Sequence, residues 1–243
     1  MKPVKTNGFT IVETMLFLGI SGLLIMGVLV GTGASINTQR YRDSVTSLQS
    51  FLQQQYSEVS NVSNDSLSNS CYGDSITKPR GQSNCVILGR YITTTDGKKL
   101  EINVVKGYIP PNTVPSATDD VSALQAYHIK PDYSPNNSSY EVGWGASITK
   151  PSETNPLSFS ILVLRSPTSG AILTFIDNTS TTVTSNISNL LNTPPYPPTA
   201  LTKDAKLCVD SNGLFTGPKM AVFVGKNSSS GSGVETKGES SGC

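Results

Sequence analysis

Few residues of this chain can do specific chemistry: four cysteines, one histidine, one pair of adjacent aspartates, one tryptophan and a lone carboxylate among apolar neighbours. Cys71 with Cys85, and Cys208 with Cys243, are spaced for two loop closures and not for the close CxxC pairs of a zinc site. Disulfides, and with them an oxidising extracytoplasmic compartment, are expected, although four cysteines allow three pairings. A hydrolase needs a nucleophile, a base and an orienting group. His128, the only histidine, lies between Tyr127 and Ile129 and reads as a structural residue at a strand edge. Asp119-Asp120 could attract calcium, but without the ligand spacing of an EF-hand it reads as a solvated pair. Trp144, between Gly143 and Gly145, could stack a sugar or base and reads instead as strand packing. The run Pro194-Pro195-Tyr196-Pro197-Pro198 reads as a stiff loop in preference to a polyproline ligand, and the sequons at Asn137 and Asn186 are expected by chance in a chain rich in Asn and Ser. We therefore assign no catalytic residue, no metal site and no cofactor.

The lone carboxylate, Glu13, is the sharper feature. It is the only ionisable side chain from Phe9 up to the residue before Arg40, in a stretch that turns abruptly apolar after the short basic segment 1–8. As a helix, residues 9–33 would be about 37 Å long, enough for a hydrocarbon core of about 30 Å. Lys2 and Lys5 before it favour a cytoplasmic N-terminus and an exported remainder. An unpaired carboxylate at mid-membrane costs about 2–3 kcal/mol or more. Glu13 therefore needs a reason to be there. A secretory signal peptide cleaved around residues 32–34 fits poorly, because the apolar segment is too long and holds this glutamate. A simple single-pass anchor stands level with it as an alternative.

The element that must carry Glu13 does not stop at the end of the apolar run. Residues 35–62 contain neither proline nor glycine, and Tyr41, Val45, Leu48, Leu52, Tyr56 and Val59 recur at spacings of three and four. They form one apolar helix stripe, with Arg42, Asp43, Gln49, Gln53 and Gln54 away from it. The expectation is one helix over 9–62, about 80 Å long. Its first part, 9–34, is suited to lipid, and its second, 35–62, is an amphipathic continuation covered by a globular head over 63–243.

The head reads as β-rich. Strands are expected at 86–94 and 100–105 around Asp96-Gly97, a dipeptide suited to a tight hairpin, and then at 140–148, 159–164, 171–176, 205–209 and 220–224. Proline-bearing pieces at 109–120, 130–139 and 193–199 read as irregular surface loops. A final strand running to Cys243 would close a C-terminal hairpin. The fold class is thus α+β, a long N-terminal helix packed on an antiparallel sheet. With 18 Lys plus Arg against 17 Asp plus Glu, no overall field points to nucleic acid.

Gly8, Phe9, Thr10, Ile11, Val12 and Glu13 resemble the prepilin peptidase site of type IV pilins and pseudopilins. The resemblance in motif covers about the first 35 residues, and Gly22 matches a glycine common in that family. It implies cleavage between Gly8 and Phe9, N-methylation of the new Phe9 amine, and an assembly role for Glu13. It also implies a pilin-like fold, and a route from the inner membrane to an extracellular surface filament. The implied partners are prepilin peptidase, inner-membrane assembly machinery, membrane lipid before assembly, and identical or related pilin subunits. Two positions depart from the pattern: Thr14 stands for the usual leucine, and Val30 where many major pilins have proline. With the large irregular head, these lean toward a minor subunit.

Overall fold

Helix α1 spans Ile11–Ser60, 50 unbroken residues or about 75 Å, in a computed structural model. The structure describes residues 8, 10–61, 85–109, 119–132, 138–177, 204–225, 228–238 and 242–243, with His128 by its backbone alone. Thr10 caps the helix, its hydroxyl accepting the Glu13 N–H at 3.3 Å. The hydroxyls of Thr14 and Thr32 bond back to the Ile11 and Leu29 carbonyls at 2.8 and 3.1 Å, so neither needs water. At the far end the Asn61 N–H closes on the Ser57 carbonyl at 2.9 Å. Gly19, Gly22, Gly27, Gly31 and Gly33 are all absorbed without a break.

The expected stripe is the buried face: Tyr41, Val45, Leu48, Leu52, Tyr56 and Val59 are each at most 3% exposed. It packs on two antiparallel sheets. The first comprises β1 (Cys85–Thr94), β2 (Lys99–Tyr108), β3 (His128–Asp132), β4 (Ser138–Glu141), β6 (Phe159–Arg165) and β7 (Ile172–Asp177). Its order is β3-β2-β1-β6-β7, and β4 pairs with the other half of β2. The second sheet comprises β5 (Ser147–Thr149), β8 (Ala205–Asp210), β9 (Met220–Val224) and β10 (Val234–Lys237), in the order β10-β9-β8-β5. One core joins the helix stripe to Ile92, Ile102, Ile161 and Val163 of the first sheet and to Leu207, Val209, Val222 and Val224 of the second.

A second core lies on the opposite face of the first sheet, where Tyr91, Val105, Leu162, Leu164 and Phe175 meet Leu124 of a short helix, α2 (Asp120–Gln125). This explains the sequence of β6. Phe159–Leu164 are all buried because both faces of the strand are covered, which turns an alternating pattern into a continuous one. Gly89 sits where β1 shifts register against β2, and a Cβ there would overlap the Val163 carbonyl. The close approach of β1 to β6 requires glycine.

Polar side chains of α1 fix its register on both sheets. The Tyr41 hydroxyl donates to the Val209 carbonyl at 2.8 Å and accepts the Met220 N–H at 2.6 Å, bridging the paired residues that end the β8–β9 ladder. Burial, reinforced by nearby Asp210, pushes its pKa up, so it remains a donor at neutral pH. Tyr56 reaches Thr174 at 2.8 Å, and Gln49 and Gln53 both donate to the Val234 carbonyl at 3.1 Å. Tyr41→Phe keeps the ring and leaves two backbone groups unpaired, so a loss of about 1–3 kcal/mol is expected. Urea unfolding of the detergent-solubilised protein measures it. An unchanged midpoint would show that the hydroxyl does not hold helix to sheet.

Cys208 and Cys243 form the expected disulfide, with Cα atoms 5.8 Å apart. It ties the last residue to a fully buried position of β8 across a sequence separation of 35, for which chain entropy gives about 4 kcal/mol. Cys85 is disulfide-bonded as well, whereas its expected partner Cys71 lies outside the described residues. Cys243→Ser is expected to lower the stability of the head by about 2–5 kcal/mol. A melting temperature equal to that of the oxidised parent would remove the bond from the stabilising interactions.

Several expectations are corrected. Residues 140–148 are not one strand: Gly143–Gly145 make a 3-10 turn with Trp144 at φ 58 and ψ 28, and the chain passes there from β4 in the first sheet to β5 in the second. Of the stretch read as loop over 130–139, Lys130, Pro131 and Asp132 belong to β3, since an edge strand needs bonds on one side only and tolerates proline. The Asp96-Gly97 hairpin is present with a wider turn. Gly97 alone takes positive φ, at 64, while the Asp96 carboxylate accepts the Lys98 and Lys99 N–H groups at 2.9 and 3.0 Å. The last strand ends at Lys237, short of Cys243.

Candidate functional site: an uncovered apolar helix

The head covers α1 only from Tyr41 onward. Over Ile11–Val30 every large apolar side chain is exposed, from 52% at Ile20 to 77% at Ile11. Leaving one such side chain in water forgoes about 1.5–3 kcal/mol relative to burying it. The segment is long and apolar enough to cross a membrane, and none of it is buried against the head. Lipid or another helix must cover it.

Glu13 stands in the first turn of this uncovered segment, where the helix dipole favours a negative group. Among the described residues its carboxylate has no partner, while the neighbouring threonine hydroxyls are satisfied within the helix. In lipid an ionised carboxylate needs a cation of matching depth beside it. Gly8 is exposed, and a Cβ on it would meet nothing within 4 Å. Packing therefore gives no reason for glycine at this position. Phe9 lies outside the described residues.

The other candidates separate clearly. Asp119 is the N-cap of α2, accepting the Ser122 N–H at 2.7 Å while the Ser122 hydroxyl accepts the Asp119 N–H at 3.1 Å. Asp120 accepts the Ser169 and Ser166 hydroxyls at 2.6 and 2.7 Å, and these bonds hold its carboxyl below the usual range. The adjacent acids thus serve a helix cap and a turn, and point to no calcium site. Among the described residues no group of three His, Cys, Asp or Glu could hold a metal ion. His128 is placed by its backbone in edge strand β3, opposite Tyr108. The run at 194–198 and the asparagines at 137 and 186 lie outside the described residues.

Trp144 belongs to a turn and not to a strand, is 53% exposed, and lies under the Arg40 guanidinium at 4.9 Å. The Arg40 contact was not legible in the sequence, because the two residues are far apart in the chain and no periodicity links them. Sequence comparison matches this chain to no protein family and to no characterised protein, and structural comparison finds no similar solved structure.

Proposed function

We propose that this chain is a type IV pilin-like filament subunit, cut between Gly8 and Phe9, methylated at Phe9 and assembled through α1. The observation that carries this reading is the division of one helix: residues from Tyr41 onward form the spine of a β head, and residues up to Val30 carry no cover and a single carboxylate. Such a helix can wait in lipid and later exchange lipid for the helices of neighbouring subunits. The subunit would reside first in the inner membrane and then in an extracellular filament, with a minor pilin or a pseudopilin of a secretion or DNA-uptake system as variants of the same role.

A monomeric, single-pass anchored protein whose head binds a ligand uses the same uncovered helix, and N-terminal sequencing separates the two. A mature chain starting at Phe9 with a modified amine is the expected result. A start at Met1 assigns the anchor, and a start near Ser35 assigns secretion; either would overturn the filament reading.

A further inference from the structure

The described part of the head hides its large apolar side chains with two exceptions, Trp144 at 53% exposure and Leu214 at 40%. They lie on two turns clamped together by Asn212, which donates to the Gly145 carbonyl and accepts the Ser147 hydroxyl at 3.3 Å. Both turns close on the stretch of α1 where the head takes over from the uncovered segment. Arg40 covers the Trp144 ring, and Phe215, next to Leu214, stacks on Tyr41 at 4.8 Å. The exposed pair therefore stands at the end of the head from which the apolar half of the helix emerges.

Folding does not explain Trp144. Its φ of 58 is a left-handed conformation that is unfavourable for a bulky residue. The indole N–H has no acceptor among the described residues, although an indole needs one when it is taken out of water. Tryptophan and arginine are the side chains that settle at a lipid headgroup layer, ring toward the acyl boundary and polar end toward water.

We propose that this rim of the head docks on the phospholipid surface of the membrane that α1 crosses, with Trp144 and Leu214 at headgroup level and Arg40 toward the lipid phosphates. The proposal rests on the membrane-crossing reading of α1 and not on polymerisation. Helix length is compatible with it: exposed large apolar side chains run from Ile11 to Val30 and recur at Ile36, a span of about 39 Å of helix against a hydrocarbon core of about 30 Å. Tilting takes up such an excess, and a tilted helix lowers one rim of its head onto the surface. Arg40 and Arg42 are matched in number by Asp43 and Glu141, their neighbours and that of Trp144 in the chain, so aromatic and apolar content selects the membrane, and anionic lipid is not required.

Trp144 is the only tryptophan, so its fluorescence reports this contact directly. The full chain is reconstituted in phosphatidylcholine vesicles and probed with aqueous acrylamide and with spin-labelled lipids. We expect strong quenching by a label near the glycerol end of the acyl chain and weak quenching by one at its methyl end. Acrylamide quenching should be roughly half that of a Leu214→Asp/Arg40→Asp variant in the same vesicles. If the protein resists carbonate extraction while Trp144 is fully open to acrylamide and untouched by the lipid labels, docking is overturned and the membrane-crossing reading stands. If carbonate extracts the protein, both are lost. Shielding that rises with the protein-to-lipid ratio would identify a second copy as the occupant and would also overturn lipid docking.

Discussion

A Glu13→Ala subunit is expected to be cleaved and inserted normally and yet to be nearly absent from sheared filaments. The proposed cut would leave a positive Phe9 amine, and in the membrane neither it nor the Glu13 carboxylate is tolerated alone. The two are four residues apart in one chain, so contact within a subunit is allowed. A subunit docking beside an assembled one can instead place its carboxylate against the neighbour's amine and set the axial register. The uncovered surface supports this account, because Glu13 has no partner among the described residues and its apolar neighbours supply contact without specifying height. One unpaired charge in hydrocarbon costs about 3 kcal/mol, which corresponds to roughly a hundredfold loss of incorporation. Alanine preserves helix length, so membrane insertion acts as the internal control. Filaments containing the variant at parental levels would remove the assembly role. Loss of cleavage would show that Glu13 serves the peptidase.

The second large effect is expected at Gly8. A Gly8→Leu chain should remain at precursor size, because glycine lets the backbone approach a peptidase with no side chain between them. The structure makes this test clean. A Cβ at Gly8 meets nothing within 4 Å, and the residue precedes the helix cap, so neither the head nor α1 should change. Mass spectrometry of membrane fractions reads the processed share, and urea unfolding should give the parental midpoint. Mature-size Gly8→Leu protein in filaments would place the cleavage site elsewhere. A shifted midpoint would trace the defect to folding instead of processing.

Charge on the head bears on the conditions for these experiments. Burial disfavours the Asp210 carboxylate, but Lys219 at 2.6 Å and the Asn212 N–H at 2.7 Å outweigh it, and its pKa is lowered. Asp96 is lowered likewise: burial is again outweighed, here by the N–H groups of Lys99 and Lys98 and the Thr94 hydroxyl. A depressed carboxyl pKa contributes stability that is complete above the unfolded value of about 3.9 and is lost as pH falls through the lower folded one. Preparations at neutral pH keep this contribution in full.

The sequence alone determined the parts of this protein that depend on local order. Helix α1 was legible because a period of three and four over Tyr41–Val59 and the absence of proline leave no other element that can use those residues. Strands β6, β8 and β9 were legible because short β-branched runs sit between turn residues. The step in polarity after Gly8 and the lone Glu13 needed no structure at all. Contacts between distant residues were decided only by the tertiary fold. Nothing near residue 144 says that two glycines and a tryptophan will turn the chain from one sheet to the other, because the turn is held by Asn212 from a loop far along the chain. Nothing near Asp120 says that the Ser166 and Ser169 hydroxyls will occupy its carboxylate. Tyr41 was read as one more apolar position in a stripe, yet its hydroxyl joins two strands that begin more than 160 residues later, at separations of 168 and 179. Periodicity encodes which face of an element is buried, whereas the partner of a polar group is fixed only when packing brings donor and acceptor together and excludes the water that would otherwise serve either one.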